Sequence, residues 1–200
     1  MDSIDARNYD RGMWFLERFS LERLRRHVLA EARGAVLEVG AGTGANLPLY
    51  ASNVRVTAVE LRPSHLAAAA RKVRLAGRSA DISVAAANAQ NLPFPDASFD
   101  TVVGTLVFCS IHDPGQALDE IRRVVRPGGR LLLLEHVRGQ TRVTRILTDA
   151  LHPLWFAMQG ECHLNRETAT TVAGAGFRID HATSHARGLL QVIHAVAPRE

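Results

Sequence analysis

The sequence has very few cysteines and no long hydrophobic run. Cys109 and Cys162 are its two cysteines in 200 residues, and so distant a pair gives no disulfide framework and favours a reducing compartment. No apolar stretch approaches the ~20 residues of a membrane span, and residues 1–10 contain no apolar core of a signal peptide. We therefore expect a cytoplasmic protein without an integral membrane span, for which peripheral contact with a membrane stays open.

Lysine and aromatic residues are also scarce. Lys72 is the one lysine among 24 basic residues, and 20 acidic residues leave a net charge of +4. The basic residues are dispersed except over residues 11–32, where the pattern predicts an amphipathic N-terminal helix with a solvated basic face. Aromatic residues make up 6% of the chain, and no aromatic platform for stacking bases is visible. The sequence therefore predicts no nucleic-acid partner.

Helix and strand patterns alternate along the chain, without an internal repeat or a linker. The length suits a single domain over residues 1–200. Strands are predicted at 36–40, 54–60, 81–86, 101–108, 130–135, 177–181 and 190–197, and further helices at 63–76, 114–125, 142–159 and 168–175. Pro127-Gly128-Gly129 is expected to end the helix at 114–125, and Pro153 to break the helix at 142–159. This alternation predicts an α/β fold with a doubly wound, mainly parallel sheet.

A glycine-rich turn follows the first predicted strand. Residues 38–46 read Glu-Val-Gly-Ala-Gly-Thr-Gly-Ala-Asn. Three glycines at alternate positions, Gly40, Gly42 and Gly44, let the backbone approach a ligand that a Cβ would exclude. We expect a helix to begin near Ala45 and to direct its N-terminus at the same ligand. The pattern predicts a nucleotide-like cofactor at this end of the sheet.

Two cofactors compete for this turn. The spacing Gly40-x-Gly42-x-x-Ala45, with Glu60 ending the second strand, fits the relaxed fingerprint of an NAD(P)-dependent dehydrogenase. Glu38 favours another cofactor, because a carboxylate beneath the turn does not help a pyrophosphate but suits a cationic amino group. S-adenosylmethionine (SAM) carries an amino group and no phosphate. SAM is therefore the predicted cofactor, for an enzyme or for a non-catalytic SAM-binding protein, and the glycine turn alone leaves the dehydrogenase open.

A series of motifs in order resembles the class I SAM-dependent methyltransferases. The series covers residues 36–135 and reads Glu38-x-Gly40-x-Gly42-x-Gly44, Glu60 at a strand end, Asn88-Ala89-x-x-Leu92-Pro93-Phe94, Phe94-Pro95-Asp96-x-Ser98-Phe99-Asp100 and Leu118-x-x-Ile121-x-Arg123-Val124-Val125-Arg126-Pro127-Gly128-Gly129. The resemblance implies a Rossmann-like, seven-stranded sheet whose last strand runs antiparallel. It also implies an N-terminal helical lid over residues 1–33 and a substrate-side helical segment over 136–176.

The resemblance implies cofactor-binding roles for nine residues. They are Glu38 for the methionine amino group, the backbone of Gly40, Ala41 and Gly42 beneath the ribose and methionine, Glu60 for the ribose hydroxyls, Leu61 against the adenine, Asn88 and Ala89 at the adenine edge, and Thr105 near the methionine end. The family commonly has Asp at the position of Asn88. An amide both accepts and donates, so adenine binding is expected to survive this difference.

The downstream sequence resembles the methyltransferase-like-7 group, which are alkyl thiol methyltransferases, and also soluble phospholipid N-methyltransferases. The matching residues are Glu135-His136-Val137, Pro153-Leu154-Trp155 and Cys162-His163-Leu164-Asn165-Arg166-Glu167. The chain departs from the thiol enzymes in two ways: it has no membrane-anchoring apolar segment, and Glu161 stands where they have Gly. This resemblance implies methyl transfer to a small molecule. A thiol is the leading acceptor, and N-methylation of an amine or phospholipid headgroup is the alternative.

Catalytic candidates lie at the end of the fifth predicted strand. His136 follows that strand at the rim where a substrate would enter, and a neutral imidazole there could remove the proton of a thiol. Glu135 precedes it and is predicted to orient it or to bind substrate, and His163 is the second candidate base. No spacing of His, Cys and carboxylate residues matches a metal-ligand set, so no metal is predicted. The sequence does not indicate an oligomeric state.

Overall fold

The computed structural model describes residues 21–75, 81–159 and 162–199. Seven strands and five α-helices follow one another along these residues. The strands are β1 (Ala35–Val39), β2 (Arg55–Glu60), β3 (Asp81–Ala86), β4 (Phe99–Thr105), β5 (Val125–His136), β6 (Arg178–His185) and β7 (Leu190–Val196). The helices are α1 (Glu22–Leu29), α2 (Pro63–Leu75), α3 (Pro114–Val124), α4 (Arg142–Gln159) and α5 (Thr168–Gly174).

The seven strands form one sheet in the order β3-β2-β1-β4-β5-β7-β6. All neighbouring pairs are parallel except those of β7, which runs antiparallel to both β5 and β6. The predicted fold class, including the antiparallel last strand, is confirmed. From the central β1 the chain winds outward to β3 and then returns to β4. The strand order therefore reverses between β1 and β4, where open α/β sheets bind their ligands.

The leucine run of β5 shows why the middle of the sheet is buried on both faces. Side chains alternate across a strand. Leu131 and Leu133 lie in the core cluster that contains the apolar residues of α3, whereas Leu132 and Leu134 lie in the cluster that contains those of α1. All four are at most 1% exposed. Such a continuous apolar run is typical of a parallel strand covered on both faces.

The prediction that the fourth strand extends to residue 108 is wrong. β4 ends at Thr105 because Leu106 adopts a positive φ of 55°. The next N–H, that of Val107, then turns away from the ladder and donates to the carboxylate of Glu135 at 3.1 Å. The segment after β4 is thus a buried turn at the carboxyl end of the sheet.

The expected helix near Ala45 is also absent from the described residues. The chain forms only a short 3₁₀ helix at Leu47–Leu49. Pro48 has no N–H to continue the hydrogen-bond series, and Tyr50 is extended, with φ −68° and ψ 140°. No α-helix N-terminus therefore points at a ligand from this turn.

Two other local predictions need correction. Pro127-Gly128-Gly129 does not form a loop after a helix but lies within β5, which begins at Val125 directly after α3. The strand accommodates the triplet through a register shift against β4 between Phe99 and Thr101. Pro153 does not break α4, which continues from Arg142 to Gln159. Its ring is exposed, so water can solvate the carbonyl whose helical partner the proline removes.

Part of the predicted lid, residues 1–20, lies outside the described residues, whereas α1 and the start of β1 belong to the described chain. The described helices include none with the length and apolar character needed to cross a membrane.

Candidate functional site

A cavity of about 670 Å³ lies at the carboxyl ends of β1, β2 and β4, a size typical of small-molecule and cofactor sites. Eight of the nine residues predicted to bind a cofactor line it. These are Gly40, Ala41, Gly42, Glu60, Leu61, Asn88, Ala89 and Thr105. Four separate parts of the chain thus meet at the point where the strand order reverses. Glu38 is the exception, because it lies beneath the cavity and not in its wall.

The three glycines of the turn have different roles. All have positive φ, between 55° and 80°. A Cβ on Gly42 would meet nothing within 4 Å, so it would project into open space in the cavity wall. A Cβ on Gly40 would clash with Val107, and one on Gly44 would approach the backbone of Ala69 in α2 to 3.1 Å. Gly42 therefore keeps the cavity open, whereas Gly40 and Gly44 permit close packing of neighbouring elements.

Glu60 is oriented by two backbone donors. Its Oε2 accepts from the N–H of Gly42 and its Oε1 from the N–H of Arg62, both at 2.8 Å. The side chain is only 6% exposed, yet it lines the cavity. Each carboxylate oxygen has a further lone pair after these bonds. Glu60 can accept two neighbouring hydroxyl groups, such as those of a ribose.

Glu38 belongs to a buried network beneath the turn. The amide of Asn46 donates to Glu38 Oε1 and to Thr105 Oγ1, both at 3.0 Å. Arg25 donates to Asn46 Oδ1 at 2.9 Å and to Thr105 Oγ1 at 2.6 Å. Glu38 therefore reaches the cavity only through Asn46 and the wall residues Thr105 and Arg25.

Burial raises the pKa of Glu38 to about 7, although the Tyr50 hydroxyl, the Asn46 amide and the Arg25 charge each act to lower it. Water is excluded from this carboxyl, and burial disfavours its charged form. A bound cationic group nearby would favour ionisation. Glu38 is thus a carboxyl whose charge can respond to what occupies the cavity.

The burial of Arg25 contradicts the prediction that the basic face of the N-terminal helix is solvated. Its side chain is 5% exposed and lines the cavity. Sequence reasoning missed this role because Arg25 stands among other arginines of one amphipathic helix. It missed Asn46 for a similar reason, since the partner residues Glu38 and Thr105 are brought together only by the fold.

Asn88 lies in the cavity wall but uses its amide oxygen locally. Asn88 Oδ1 accepts from the N–H of Gln90 at 3.0 Å, which is the pattern of an Asx turn. The NH₂ group remains available to donate toward a ligand. Its role at an adenine edge stays a prediction, and the geometry favours donation over acceptance.

Of the two candidate histidines, it is His163 that lines the cavity. Its ring centroid is 4.8 Å from that of Phe156 in α4, and its backbone N–H donates to the carbonyl of Cys109 at 2.8 Å. Burial lowers the pKa of His163, and the nearby charges of Arg166 and His152 lower it further. A neutral imidazole therefore faces the cavity near neutral pH.

Neither Glu135 nor His136 is among the described residues that line the cavity. The role of His136 as a base at the rim therefore stays a prediction. Glu135 is fully buried and holds the turn after β4 by accepting the Val107 N–H. Burial raises the pKa of Glu135 to about 7 against the opposing effect of the backbone N–H groups of Val107, Phe108 and Cys109. Its position is that of a structural support for this turn.

His136 instead belongs to a cluster with both cysteines. One ligand atom from each of Cys109, His136 and Cys162 lies within 4.8 Å of the others. Cys109 is buried and Cys162 half-buried, and neither forms a disulfide. The sequence predicted no metal-ligand set because the three residues come from distant segments: the turn after β4, the end of β5, and the stretch following α4. Only the sheet topology brings them together.

Comparisons with known proteins identify the type of domain. Residues 37–133 match the family model for a methyltransferase domain. The chain is 36% identical over 143 residues to phosphatidylethanolamine N-methyltransferase of Cereibacter sphaeroides. This match covers 68% of this chain and 69% of that protein. The chain is also 35% identical over 151 residues to human thiol S-methyltransferase TMT1B. This match covers 74% of this chain but only 62% of that protein.

A solved structure of a SAM-dependent methyltransferase from Thermotoga maritima has the same fold. Its TM-score is 0.72 at 21% sequence identity, and the match covers 98% of this chain and 100% of that one.

Proposed function

Because the chain belongs to the SAM-dependent methyltransferases, we propose that it transfers a methyl group from SAM to the sulfur of a small-molecule thiol. The thiol loses its proton, its sulfur gains the methyl group, and S-adenosylhomocysteine remains. The family assignment argues against the NAD(P)-dependent dehydrogenase that the glycine turn left open.

The residues present fit SAM. Gly42 leaves the wall open where a Cβ would project, and the two oriented oxygens of Glu60 suit a ribose diol. Leu61, 63% exposed at the cavity, offers an apolar surface to an adenine ring. The buried carboxyl of Glu38 would be favoured in its charged form by the cationic amino group of a bound methionine moiety. SAM supplies a methyl group that is already activated on a sulfonium, so the protein has mainly to position the acceptor and exclude water.

The observation that favours a thiol over an amine is the charge of the cavity wall. Glu60 is the single acidic residue among the described residues that line it. The β4–α3 turn and the following segments contribute Val107, Ile111, Phe156 and His163. An ammonium group there would lack a carboxylate partner, and its desolvation would be costly. A neutral thiol or a thiolate has no such requirement.

His163 is the residue proposed to accept the thiol proton, in place of His136. It lines the cavity beside Phe156, whereas His136 is not among the described lining residues. Glu135 contributes indirectly, by holding the turn that carries Val107. The segment 136–176 thus supplies α4 and His163 to the substrate side of the cavity, which supports its proposed role.

N-methylation remains the second candidate, because the chain is as similar to a phosphatidylethanolamine N-methyltransferase as to thiol S-methyltransferases. We therefore propose a test that offers SAM with a panel of alkyl and aryl thiols, ethanolamine, and phosphatidylethanolamine in micelles. Methylated product is measured by mass spectrometry. Thiol turnover supports the proposal. Turnover on an amine alone would replace it with N-methylation, and SAM binding without turnover on any acceptor would indicate a non-catalytic protein.

A variant tests the base within the same experiment. His163→Gln is expected to lower thiol turnover about 10²-fold at neutral pH while SAM affinity is kept. Raising the pH to 9 ionises the thiol itself and should partly restore the rate. His185→Gln, on β6 and not among the described residues that line the cavity, is the matched control. Unchanged turnover in His163→Gln would show that His163 is not the base, while the proposed methyl transfer to a thiol would still hold.

We propose a cytoplasmic protein that acts on small molecules and not on nucleic acid. Helix α4 exposes several large apolar side chains, namely Val143, Ile146, Leu147, Leu151 and Leu154. This surface is compatible with peripheral contact between the substrate side and a membrane that holds apolar thiols.

A further inference from the structure

The cluster of Cys109, His136 and Cys162 is not used by the proposed methyl transfer. One sulfur or nitrogen atom from each residue lies within 4.8 Å of the other two. In a tetrahedral zinc site, Zn–S bonds of about 2.3 Å and Zn–N bonds of about 2.0 Å separate the ligand atoms by roughly 3.5–3.8 Å. The three side chains would therefore have to move together by only about 1 Å to hold one ion.

We propose that Cys109, His136 and Cys162 bind a zinc ion with three protein ligands and one open coordination position. Two thiolates and an imidazole form a soft-to-borderline donor set, which selects zinc over magnesium or calcium. Three protein ligands with an open position are typical of catalytic zinc sites, whereas purely structural sites are closed by four. The three residues are not among the described residues that line the cofactor cavity, and the site goes beyond the transfer reaction.

The charges around the cluster suit a divalent cation. Glu135 is fully buried, and its Oε2 has no hydrogen-bond partner. The half-buried Arg166 lies close enough to Cys109, Cys162 and Glu135 to interact with each electrostatically. Two thiolates carry two negative charges, which one zinc ion balances, and the guanidinium of Arg166 balances the carboxylate of Glu135 whenever that group is ionised. A bound zinc ion therefore leaves this buried region neutral, as the high cost of uncompensated buried charge requires.

The position of the cluster links the ion to the cavity wall. Cys109 directly precedes Ser110 and Cys162 directly precedes His163, and both following residues line the cavity. The two segments are already joined by the hydrogen bond from the His163 N–H to the Cys109 carbonyl. An ion would fasten the same two segments a second time, through side chains.

A disulfide between the cysteines is the competing arrangement. It would require only two sulfur atoms, and it would not require the imidazole of β5 within the same distance. The three-residue geometry therefore favours metal binding, and the experiment separates the two.

The test uses the full chain, reduced and freed of metal by a chelator, without SAM or any acceptor. Zinc is titrated in and the bound ion is counted after desalting, and cobalt(II) is used as a spectroscopic probe. We expect one ion per chain and, with cobalt, thiolate-to-metal charge-transfer absorption together with the visible bands of four-coordinate geometry. Cys162→Ser and His136→Gln should each weaken zinc binding by at least about tenfold, whereas His181→Gln on the exposed face of β6 should not.

Several results would overturn the proposal. One is the absence of stoichiometric zinc in the reduced protein, and another is equal affinity in the wild type and the cluster variants. A third is a protein purified with a Cys109–Cys162 disulfide that binds no zinc once reduced. Circular dichroism verifies that each variant folds, and the half-buried Cys162 is the safer substitution than the buried Cys109. Because the titration needs neither SAM nor acceptor, its outcome is independent of the proposed methyl transfer.

Discussion

Glu60 is oriented for a diol by the protein's own backbone, which makes its contribution measurable. Glu60→Gln keeps the size of the side chain but removes the charge and replaces one acceptor oxygen with a donor. The unpaired ribose hydroxyl should weaken binding of SAM and S-adenosylhomocysteine by about 1–3 kcal/mol, or about 5- to 150-fold. Calorimetry measures the dissociation constants. Asp81→Asn, at the far end of β3, is the control, and an unchanged constant in folded Glu60→Gln contradicts the role.

Glu38 should make stability depend on pH. Its folded-state pKa of about 7 exceeds the ordinary glutamate value of 4.5, so the native state binds this proton more tightly than the unfolded chain. The contribution of protonated Glu38 to the free energy of unfolding is complete below about pH 4.5 and is lost as the pH rises through 7. It amounts to about 3 kcal/mol at most. In Glu38→Gln, which resembles the protonated form, this loss should disappear.

The measurement for Glu38 is urea unfolding of the ligand-free protein at pH 5 and pH 8. The free energy of unfolding of Glu38→Gln, relative to that of the wild type, should increase from pH 5 to pH 8. Glu135 titrates in the same direction, but it is present in both proteins and cancels in the difference. Glu22→Gln on the exposed face of α1 is the control. Parallel pH dependence of Glu38→Gln and wild type would show that burial does not hold Glu38 protonated.

At the scale of elements, the glycine turn combines an open wall with close packing. Gly42→Ala places a methyl group in the open wall at a φ of +55°. The strained backbone should lower the free energy of unfolding by about 1–2 kcal/mol. The methyl group should further weaken S-adenosylhomocysteine binding by about 1–3 kcal/mol. Gly174→Ala, where a Cβ also meets nothing within 4 Å, should leave affinity unchanged. Equal affinity in Gly42→Ala would mean that the ligand does not approach this turn.

Element-level reasoning also explains which local predictions succeeded. The leucine run of β5 and the terminal position of Glu60 on β2 follow from patterns within one strand, and both were predicted from sequence. The α-helix expected near Ala45 was not formed, because Pro48 and the extended Tyr50 limit the chain to a 3₁₀ turn. The end of β4 at Thr105 was missed because the acceptor that turns it, Glu135, lies on another strand.

At the scale of the whole molecule, the residues that sequence reasoning missed are those with distant partners. Arg25 reads as one of several helix-surface arginines, yet it contacts Asn46 and Thr105 beneath the cavity. The proximity of His136 to Cys109 and Cys162 was likewise not predicted. The spacing of residues along the sequence does not predict such contacts, because they arise when the strand order brings separate turns to one end of the sheet.

The network of Arg25 should also couple α1 to the cavity. Arg25 joins this helix to the ends of β1 and β4 and itself lines the wall, so a ligand that contacts this network opposes local opening of α1. We expect S-adenosylhomocysteine to slow amide hydrogen exchange in residues 22–29 and 40–45, and to leave β6 at the sheet edge unchanged. The same measurement tests the predicted lid over residues 1–33. Arg25→Met should abolish the protection of α1 while that of residues 40–45 persists. Equal exchange of α1 with and without ligand would mean that the helix packs on the sheet independently of the site.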